Sequence, residues 1–435
     1  MDQMRKMLVP LVCVAVVSLS GCSDATVSGE VVFDGALEGM TGTRPAAINT
    51  TWRNEVGDFW VRRGNVALTS FQYVAESYDA VILAALAAEA AGTDGSALAD
   101  EIVELTREGT KCVDFVECRA LIVAGKDVDY EGKSGHVTMN AAGEVVETNF
   151  SVVQFGGDNR IDTSRTVYDE IVGVHREGEA RSASRTRTGD GVLTIGSILP
   201  LTGQLAQYGP PQFAGIEYAI FRVNEAGGVL GREVRYVEGD SGDSSSGVAQ
   251  STVDNMIASG VDVAIGPSST TVTSEVIDRI LGAQIVQISP ANTNMSLVDY
   301  ADDGLYFRIA PADDLQGFLL SKVMEESGSE RVYVAAIDHP YGAAVAERLR
   351  LLLEDRGIEV VDVESYDSGT GDFVPMVDRM EESKADSIVV IGFEESARLL
   401  RTMVRGGIGP KSRRVFGVDS NMGDVIGEAF DLASD

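Results

Sequence analysis

Residues 191–232 read GVLTIGSILPLTGQLAQYGPPQFAGIEYAIFRVNEAGGVLGR. An apolar, β-branched run from Val192 to Ile198 predicts a buried strand, and Phe213 to Ala226 has the spacing of an amphipathic helix. Gly227-Gly228 supplies the glycine that a left-handed helix C-cap favours. The stretch therefore predicts one strand followed by one helix.

The same alternation continues to the end of the chain. Short β-branched runs separated by amphipathic helices predict an α/β protein, with a mostly parallel sheet covered on both faces. This number of strands is too large for one small lobe, and we expect a second lobe to begin with the long helix after Pro311. The predicted strands are 192–198, 234–237, 261–265, 285–288, 332–337, 360–363, 388–391 and 415–418.

Composition limits the class of function. The chain has 435 residues, enough for two or three lobes, and 44% of them are hydrophobic, as in an ordinary globular protein. Its formal net charge of -32 makes binding to nucleic acid unfavourable, because both partners are anionic. We interpret the charge as a solvated acidic surface and expect no nucleic-acid partner.

The first 22 residues have the features of an export signal. Arg5 and Lys6 precede the apolar run Leu8 to Leu19, which is too short to span a bilayer. The residues LSGC at 19–22 resemble a bacterial lipoprotein cleavage site, which implies that Cys22 carries a lipid anchor and that the protein is extracytoplasmic and membrane-attached. The alternative is a short buried helix with a chance cysteine.

Two cysteines remain in the expected mature body. Cys112 and Cys118 could close a small disulfide loop in an oxidising compartment. Two buried free thiols are the alternative, and sequence spacing alone does not decide between them.

The chain before residue 190 is less regular. Residues 27–156 predict a strand at 27–33, helices at 78–91 and 97–108, and late strands near Val137 and Val152, without the alternation of a complete domain. Residues 157–190 contain few apolar side chains, so we interpret them as a linker.

The residues from 191 onward resemble the type I periplasmic solute-binding proteins of branched-chain amino acid ABC transporters. The resemblance rests on motifs in the family's order and at similar spacings. They are LPLTG at 199–203, QYG at 207–209, NEAGGVLGR at 224–232, IGPSST at 265–270, SPANT at 289–293, YG at 341–342 and GDF at 371–373.

Three earlier motifs resemble the same family's C-terminal segments. They are GMTGTRP at 39–45, SYDAV at 77–81 and GKDVDYEGKSG at 125–135. The resemblance therefore implies a circularly permuted, two-lobed type I periplasmic-binding-protein fold. The alternative is a fragment of one gene copy next to a truncated second copy.

The permuted arrangement assigns every segment to a lobe. The expected segments are a signal peptide at 1–22, lobe 2 at 23–68, lobe 1 at 69–148, the last strand of lobe 2 at 149–156, a linker at 157–190 joining the family's usual ends, lobe 1 at 191–310 and lobe 2 at 311–435.

A ligand site is expected where parallel strands end. Ser268-Ser269-Thr270-Thr271 and Ala291-Asn292-Thr293 each follow a predicted strand, at the edge where open α/β sheets bind ligands. Hydroxyls and free N–H groups at a helix start suit a carboxylate. On local sequence alone, Ser268 to Thr271 are better explained as helix N-caps.

The resemblance gives these positions ligand roles. It implies that Ser269, Thr270, Ala291 and Thr293 bind the α-carboxylate and ammonium of an amino-acid-like ligand. It further implies that Tyr208 lines the first lobe, that Tyr341 and Phe393 form an aromatic wall on the second, and that Asp419 pairs with the ammonium. Thr270 and Phe393 depart from the residues common in the family. The alternatives are core aromatics and a solvated loop acid.

The sequence disfavours an enzyme. Its three histidines, His136, His175 and His339, are far apart and lack metal-ligand spacing, and no phosphate loop or nucleophile elbow occurs. We therefore expect no catalytic residues, cofactor or metal, and expect a small-molecule ligand and an ABC transporter permease as partners. A ligand-sensing receptor subunit is the alternative, and a hydrolase using His339 is a third.

Overall fold

The computed structural model describes residues 33–45, 49–172, 184–244 and 246–431. The expected signal peptide, Cys22 and residues 27–32 of the first predicted strand lie outside the described residues. The strands are β1 Thr41–Pro45, β2 Thr110–Cys112, β3 Val128–Gly132, β4 Gly135–His136, β5 Thr138–Met139, β6 Val145–Gln154, β7 Val167–Val172, β8 Thr194–Leu199, β9 Arg235–Asp240, β10 Val263–Ile265, β11 Val286–Ser289, β12 Tyr306–Arg308, β13 Arg331–Ile337, β14 Glu359–Tyr366, β15 Ser387–Ile391 and β16 Arg414–Gly417. The α-helices are α1 Thr50–Arg62, α2 Val74–Ala91, α3 Ala99–Ile102, α4 Phe115–Val123, α5 Gly209–Glu225, α6 Val248–Ala258, α7 Thr270–Gly282, α8 Asp313–Glu326, α9 Pro340–Asp355, α10 Val374–Glu382, α11 Ser396–Arg405 and α12 Asp424–Asp431.

Lobe 1, residues 49–144 and 184–310, is built on a parallel sheet in the order β12-β11-β10-β8-β9. The buried helix α2 packs against α5 beside this sheet. Gly215 permits the close approach, because a Cβ there would lie 2.2 Å from the carbonyl oxygen of Val74. The helix that carries the SYDAV motif is thus part of the lobe 1 core.

Lobe 2, residues 33–45, 145–172 and 311–431, is built on the second sheet, in the order β14-β13-β15-β16-β1-β6-β5, with β7 on β6. The short edge strand β5 is the one described strand of this sheet that comes from the lobe 1 segment. β1 pairs in parallel with β16 and antiparallel with β6. Segments from both ends of the described chain therefore form one sheet. The predicted α/β class and the strands from 192 to 418 are confirmed, with bounds shifted by a few residues.

Lobe 1 begins earlier than expected. α1 lies within the segment predicted for lobe 2, residues 23–68, yet its Trp52 ring centroid is 5.3 Å from that of Tyr78 and Phe59 is 5.2 Å from Tyr218, both in lobe 1. The apolar face of α1 buries itself there, so this part of the segment boundary is wrong.

Two further predictions differ from the structure. The helix predicted at 97–108 is a 3₁₀ turn, Ser96–Leu98, followed by the short α3, because the chain turns at Glu108, where φ is +57°, to enter β2. Within the predicted linker, β7 pairs with β6. β7 is an edge strand held by backbone hydrogen bonds, which do not require apolar side chains. The prediction, which rested on the scarcity of apolar residues in 157–190, therefore missed this strand. Residues 173–183 lie outside the described part.

Cys112 and Cys118 are joined by a disulfide between β2 and α4. Among the described residues, no single helix is long and apolar enough to cross a membrane. α2 and the segment Ser96–Ile102 have sufficient length and hydrophobicity only when they are counted together, and the chain bends by 105° between them.

Candidate functional site

A cavity of about 490 Å³ lies between the lobes, where the carboxyl ends of strands from both sheets meet. Its lining includes all the residues for which a ligand role was predicted. These are Tyr208, Ser268, Ser269, Thr270, Ala291, Thr293, Tyr341, Phe393 and Asp419. The structure thus brings them together, and their contacts with a ligand stay a prediction.

The lobe 1 side of the cavity is formed by the start of α7. Ser269 is the N-cap of this helix, and its hydroxyl accepts a hydrogen bond from the Val272 N–H at 3.4 Å. The N–H groups of Thr270 and Thr271 belong to the first turn, where the backbone has no intrahelical partner. Capping and ligand binding are therefore compatible at this turn, which offers donors to an anion.

Buried Asn292 holds the two lobe 1 loops in register. Its amide nitrogen donates to the carbonyl oxygens of Pro267 at 3.1 Å and Ser268 at 2.9 Å. Its amide oxygen accepts from the hydroxyls of Thr273 at 2.8 Å and Tyr306 at 2.9 Å. The first two bonds fix the loop after β11 against the loop after β10, and the other two tie it to α7 and β12.

The lobe 2 side presents Asp419, which follows β16. Its side chain is only 2% exposed, so it is not a solvated loop acid. The Tyr341 hydroxyl donates to Oδ1 at 2.7 Å, the Tyr73 hydroxyl donates to Oδ2, and the Gln72 amide donates to the Asp419 carbonyl oxygen at 2.8 Å. The carboxylate is therefore oriented from two directions.

An aromatic wall stands beside this acid. The rings of Tyr341 and Phe393 are stacked with centroids 5.4 Å apart, and His339 meets Phe393 edge-on at 5.6 Å. His339 Nδ1 accepts a hydrogen bond from the Tyr341 N–H at 3.2 Å, which caps α9. Burial lowers the pKa of His339, so the ring is neutral at physiological pH.

Two further carboxyl groups lie near Asp419 in the protein interior. Burial and the charge of Asp419 raise the pKa of Asp313 to about 7. Burial also raises the pKa of Glu76 to about 8, and the charges of Asp79 and Asp419 add to this. An additional positive charge in this region would be favoured, since the acids repel one another.

Sequence reasoning missed Gln72 and Tyr73, which come from the N-terminal half of the chain. Both also line the cavity, yet they lie 347 and 346 residues from Asp419. Their local sequence carries no signal of a site. Across the described ranges, no group of three or more His, Cys, Asp or Glu side chains could hold a metal ion.

Comparison with known proteins gives two family matches. A model described as periplasmic binding protein matches residues 192–428, and one described as receptor family ligand binding region matches residues 35–158.

Curated relatives resemble part of the chain. It is 27% identical over 210 residues to the Leu/Ile/Val-binding protein BraC3 of Rhizobium johnstonii, covering 48% of this chain and 56% of that protein. It is 26% identical over 234 residues to the leucine-, isoleucine-, valine-, threonine- and alanine-binding protein of Pseudomonas aeruginosa, covering 53% and 62%. In these alignments the chain thus spans less than two thirds of each relative's length.

Among solved structures, the branched-chain amino acid transporter substrate binding protein LivJ of Streptococcus pneumoniae, in complex with isoleucine, matches with a TM-score of 0.50 and 25% identity. The match covers 55% of this chain and 67% of that one.

Proposed function

Because this chain belongs to the periplasmic binding protein family, we propose that it is an extracytoplasmic solute-binding protein that captures an amino acid or a related small polar molecule and delivers it to an ABC transporter. The family and the type I fold were both predicted from the sequence. The family comprises binding proteins rather than enzymes, which confirms the prediction that the chain is not an enzyme.

One observation carries the proposal: the cavity has opposite chemical character on its two sides. The first turn of α7 offers N–H and hydroxyl donors, whereas Asp419 offers a buried anion. A zwitterion has the complementary arrangement of charges. An amino acid would place its carboxylate at Ser269 and Thr270, with Ala291 and Thr293 beside it, and its ammonium at Asp419.

The aromatic wall suits an apolar side chain on the ligand. Tyr341 and Phe393 present apolar surface from lobe 2, and Tyr208 faces it from lobe 1. A ligand side chain packed there would be removed from water when the lobes close around it by hinge motion. The relatives named as binding proteins for leucine, isoleucine and valine support an amino acid as the ligand class.

Thermal unfolding of residues 24–435 tests the proposal. The protein is heated with increasing concentrations of each member of a panel of amino acids, amides and small carboxylates. A ligand that binds only the folded state raises the melting temperature with concentration. A rise with one amino acid supports the proposal and names its ligand, whereas no rise with any compound contradicts it.

A ligand-sensing subunit of a membrane receptor is the second candidate. The match of residues 35–158 to a receptor ligand-binding family favours it. The binding chemistry would be identical, so the partner discriminates. Ligand-dependent stimulation of a permease–ATPase complex encoded beside this gene favours delivery, and neighbouring sensor genes with no such stimulation favour sensing.

We also propose that a lipid on Cys22 holds the protein at the membrane. The proposal rests on the basic, apolar and LSGC segments of residues 1–22. A single lipid chain gives reversible membrane attachment, and more than one gives stable attachment.

The chain order is proposed to be a circular permutation of the family's order, with the usual ends joined through residues 157–190. The parallel pairing of β1 with β16 supports this order. The contact between Phe33 and Phe430 also supports it, since their ring centroids are 5.6 Å apart and so a segment that precedes residues 157–190 packs against one that follows them.

A further inference from the structure

Three side chains of lobe 1 reach across the cavity to two consecutive residues of lobe 2. Gln72 and Tyr73 donate hydrogen bonds to Asp419, and the Tyr208 hydroxyl donates to the Ser420 carbonyl oxygen at 2.7 Å. Ser420 is itself held within lobe 2, because its hydroxyl donates to the carbonyl oxygen of Gly392 at 2.8 Å. The interlobe bonds therefore converge on the proposed ammonium site.

Tyr73 is placed there by an unusual backbone conformation. It precedes α2 with φ 58° and ψ 14°, the left-handed region, which a residue with a Cβ adopts only at a cost in free energy. Its side chain makes no capping bond to the helix and instead donates to Oδ2 of Asp419. Burial and the charge of Asp419 raise the pKa of Tyr73 well above its ordinary value, so the hydroxyl keeps its proton as a donor.

The two tyrosines leave room for a ligand at the same acid. A carboxylate has about four acceptor positions. Tyr341 uses one on Oδ1 and Tyr73 uses one on Oδ2. Within the described part of the chain, each carboxylate oxygen thus keeps an acceptor position for an ammonium group, while the two hydroxyls fix the plane of the carboxylate.

We infer that Tyr73 is a positioning residue, which orients Asp419 toward the ligand's ammonium group and makes that orientation depend on contact between the lobes. This inference rests on the proposed binding of an amino acid at this site. Tyr73 acts through Asp419, and Gln72 supports it by holding the same residue through its backbone carbonyl.

The test measures dissociation constants by calorimetry for wild type and Tyr73→Phe, with the amino acid that stabilises the wild type and with the 2-hydroxy acid that carries a hydroxyl in place of its amino group. Loss of a hydrogen bond to a buried charged group changes an equilibrium constant by about tenfold or more. We expect Tyr73→Phe to weaken binding of the amino acid by at least that factor and binding of the hydroxy acid by less than about threefold.

Tyr130→Phe is the matched control. The Tyr130 hydroxyl donates to Oδ1 of Asp79 at 2.7 Å, a buried tyrosine–aspartate bond of the same kind that does not line the cavity. We expect this variant to keep the wild-type affinity for both compounds.

Equal losses for both compounds, or an unchanged affinity for the amino acid, overturn the inference. If Tyr73→Phe does not unfold cooperatively, Gln72→Met provides the comparison instead, because it removes the other lobe 1 hydrogen bond to Asp419, the one to its carbonyl oxygen. A wild type that binds no amino acid at all contradicts the proposed function instead, so the two failures are distinguishable.

Discussion

Neutralising Asp419 is the most direct perturbation of the proposed site. Asp419→Asn keeps the shape of the side chain and one carbonyl oxygen for Tyr341 or Tyr73, but removes the charge that faces the ligand's ammonium. The side chain is 2% exposed. Removing one member of a buried ion pair costs about 3–5 kcal/mol, which corresponds to a loss of affinity of about 100-fold to several thousandfold.

The fold should tolerate this change. The charge of Asp419 raises the pKa values of Asp313 and Glu76, so its removal relieves repulsion among buried acids. We expect the melting temperature without ligand to stay within about 4 °C of the wild type. The affinity loss should therefore not reflect unfolding.

Isothermal titration calorimetry and thermal unfolding together check both statements. Asp262→Asn is the control, because Asp262 is also buried, at 3% exposed, but accepts from the Thr194 N–H and pairs with Arg187 away from the cavity. An Asp419→Asn protein that binds the amino acid within tenfold of the wild type would refute the assignment of the ammonium to Asp419.

Three more predictions concern stability, attachment and chain order. Burial raises the pKa of Glu76 from its usual 4.5 to about 8, so the folded state holds a proton that the unfolded chain releases, and stability falls as the pH rises from about 4.5 to about 8. Glu76→Gln should raise the melting temperature at pH 8 by about 4 °C or more and change it little at pH 5, unlike the exposed control Glu326→Gln; equal pH slopes in all three proteins would contradict this. Cys22→Ser should move the protein from the membrane to the soluble fraction after cell fractionation, and persistent membrane association would place the anchor elsewhere. A rearranged chain, residues 184–431 joined by a short Gly/Ser linker to residues 33–172, should unfold cooperatively and bind the same ligand; an aggregated product would argue against the permutation.

Much of the fold could be predicted because burial on both faces of a parallel sheet leaves continuous apolar runs. The strands from 192 to 418 follow from such runs, and the site residues after β10 and β11 follow from the rule that ligands bind at carboxyl ends of strands. β12 was missed because Tyr306–Arg308 is short and ends in a buried arginine that pairs with Glu144.

The remaining features depend on contacts between distant residues. The 97–108 segment has helical propensity, but it must turn into β2 at Gly109, where a Cβ would lie 2.3 Å from the backbone of Val128. The roles of Gln72 and Tyr73 depend on a left-handed backbone and on an acid more than 300 residues away. Local sequence contains neither kind of information.

The strand β6 runs from one lobe into the other and is packed in both. Val145, near its start, belongs to the apolar core of lobe 1, and Val153, near its end, belongs to a core of lobe 2. β5 holds one end by hydrogen bonds and β1 holds the other. Because the strand is continuous across the junction, rotation about its long axis preserves these ladders, whereas pulling the lobes directly apart would break them. Opening of the cleft should therefore be a twist, and the amide protons of β6 should exchange slowly with solvent in both the open and the closed protein.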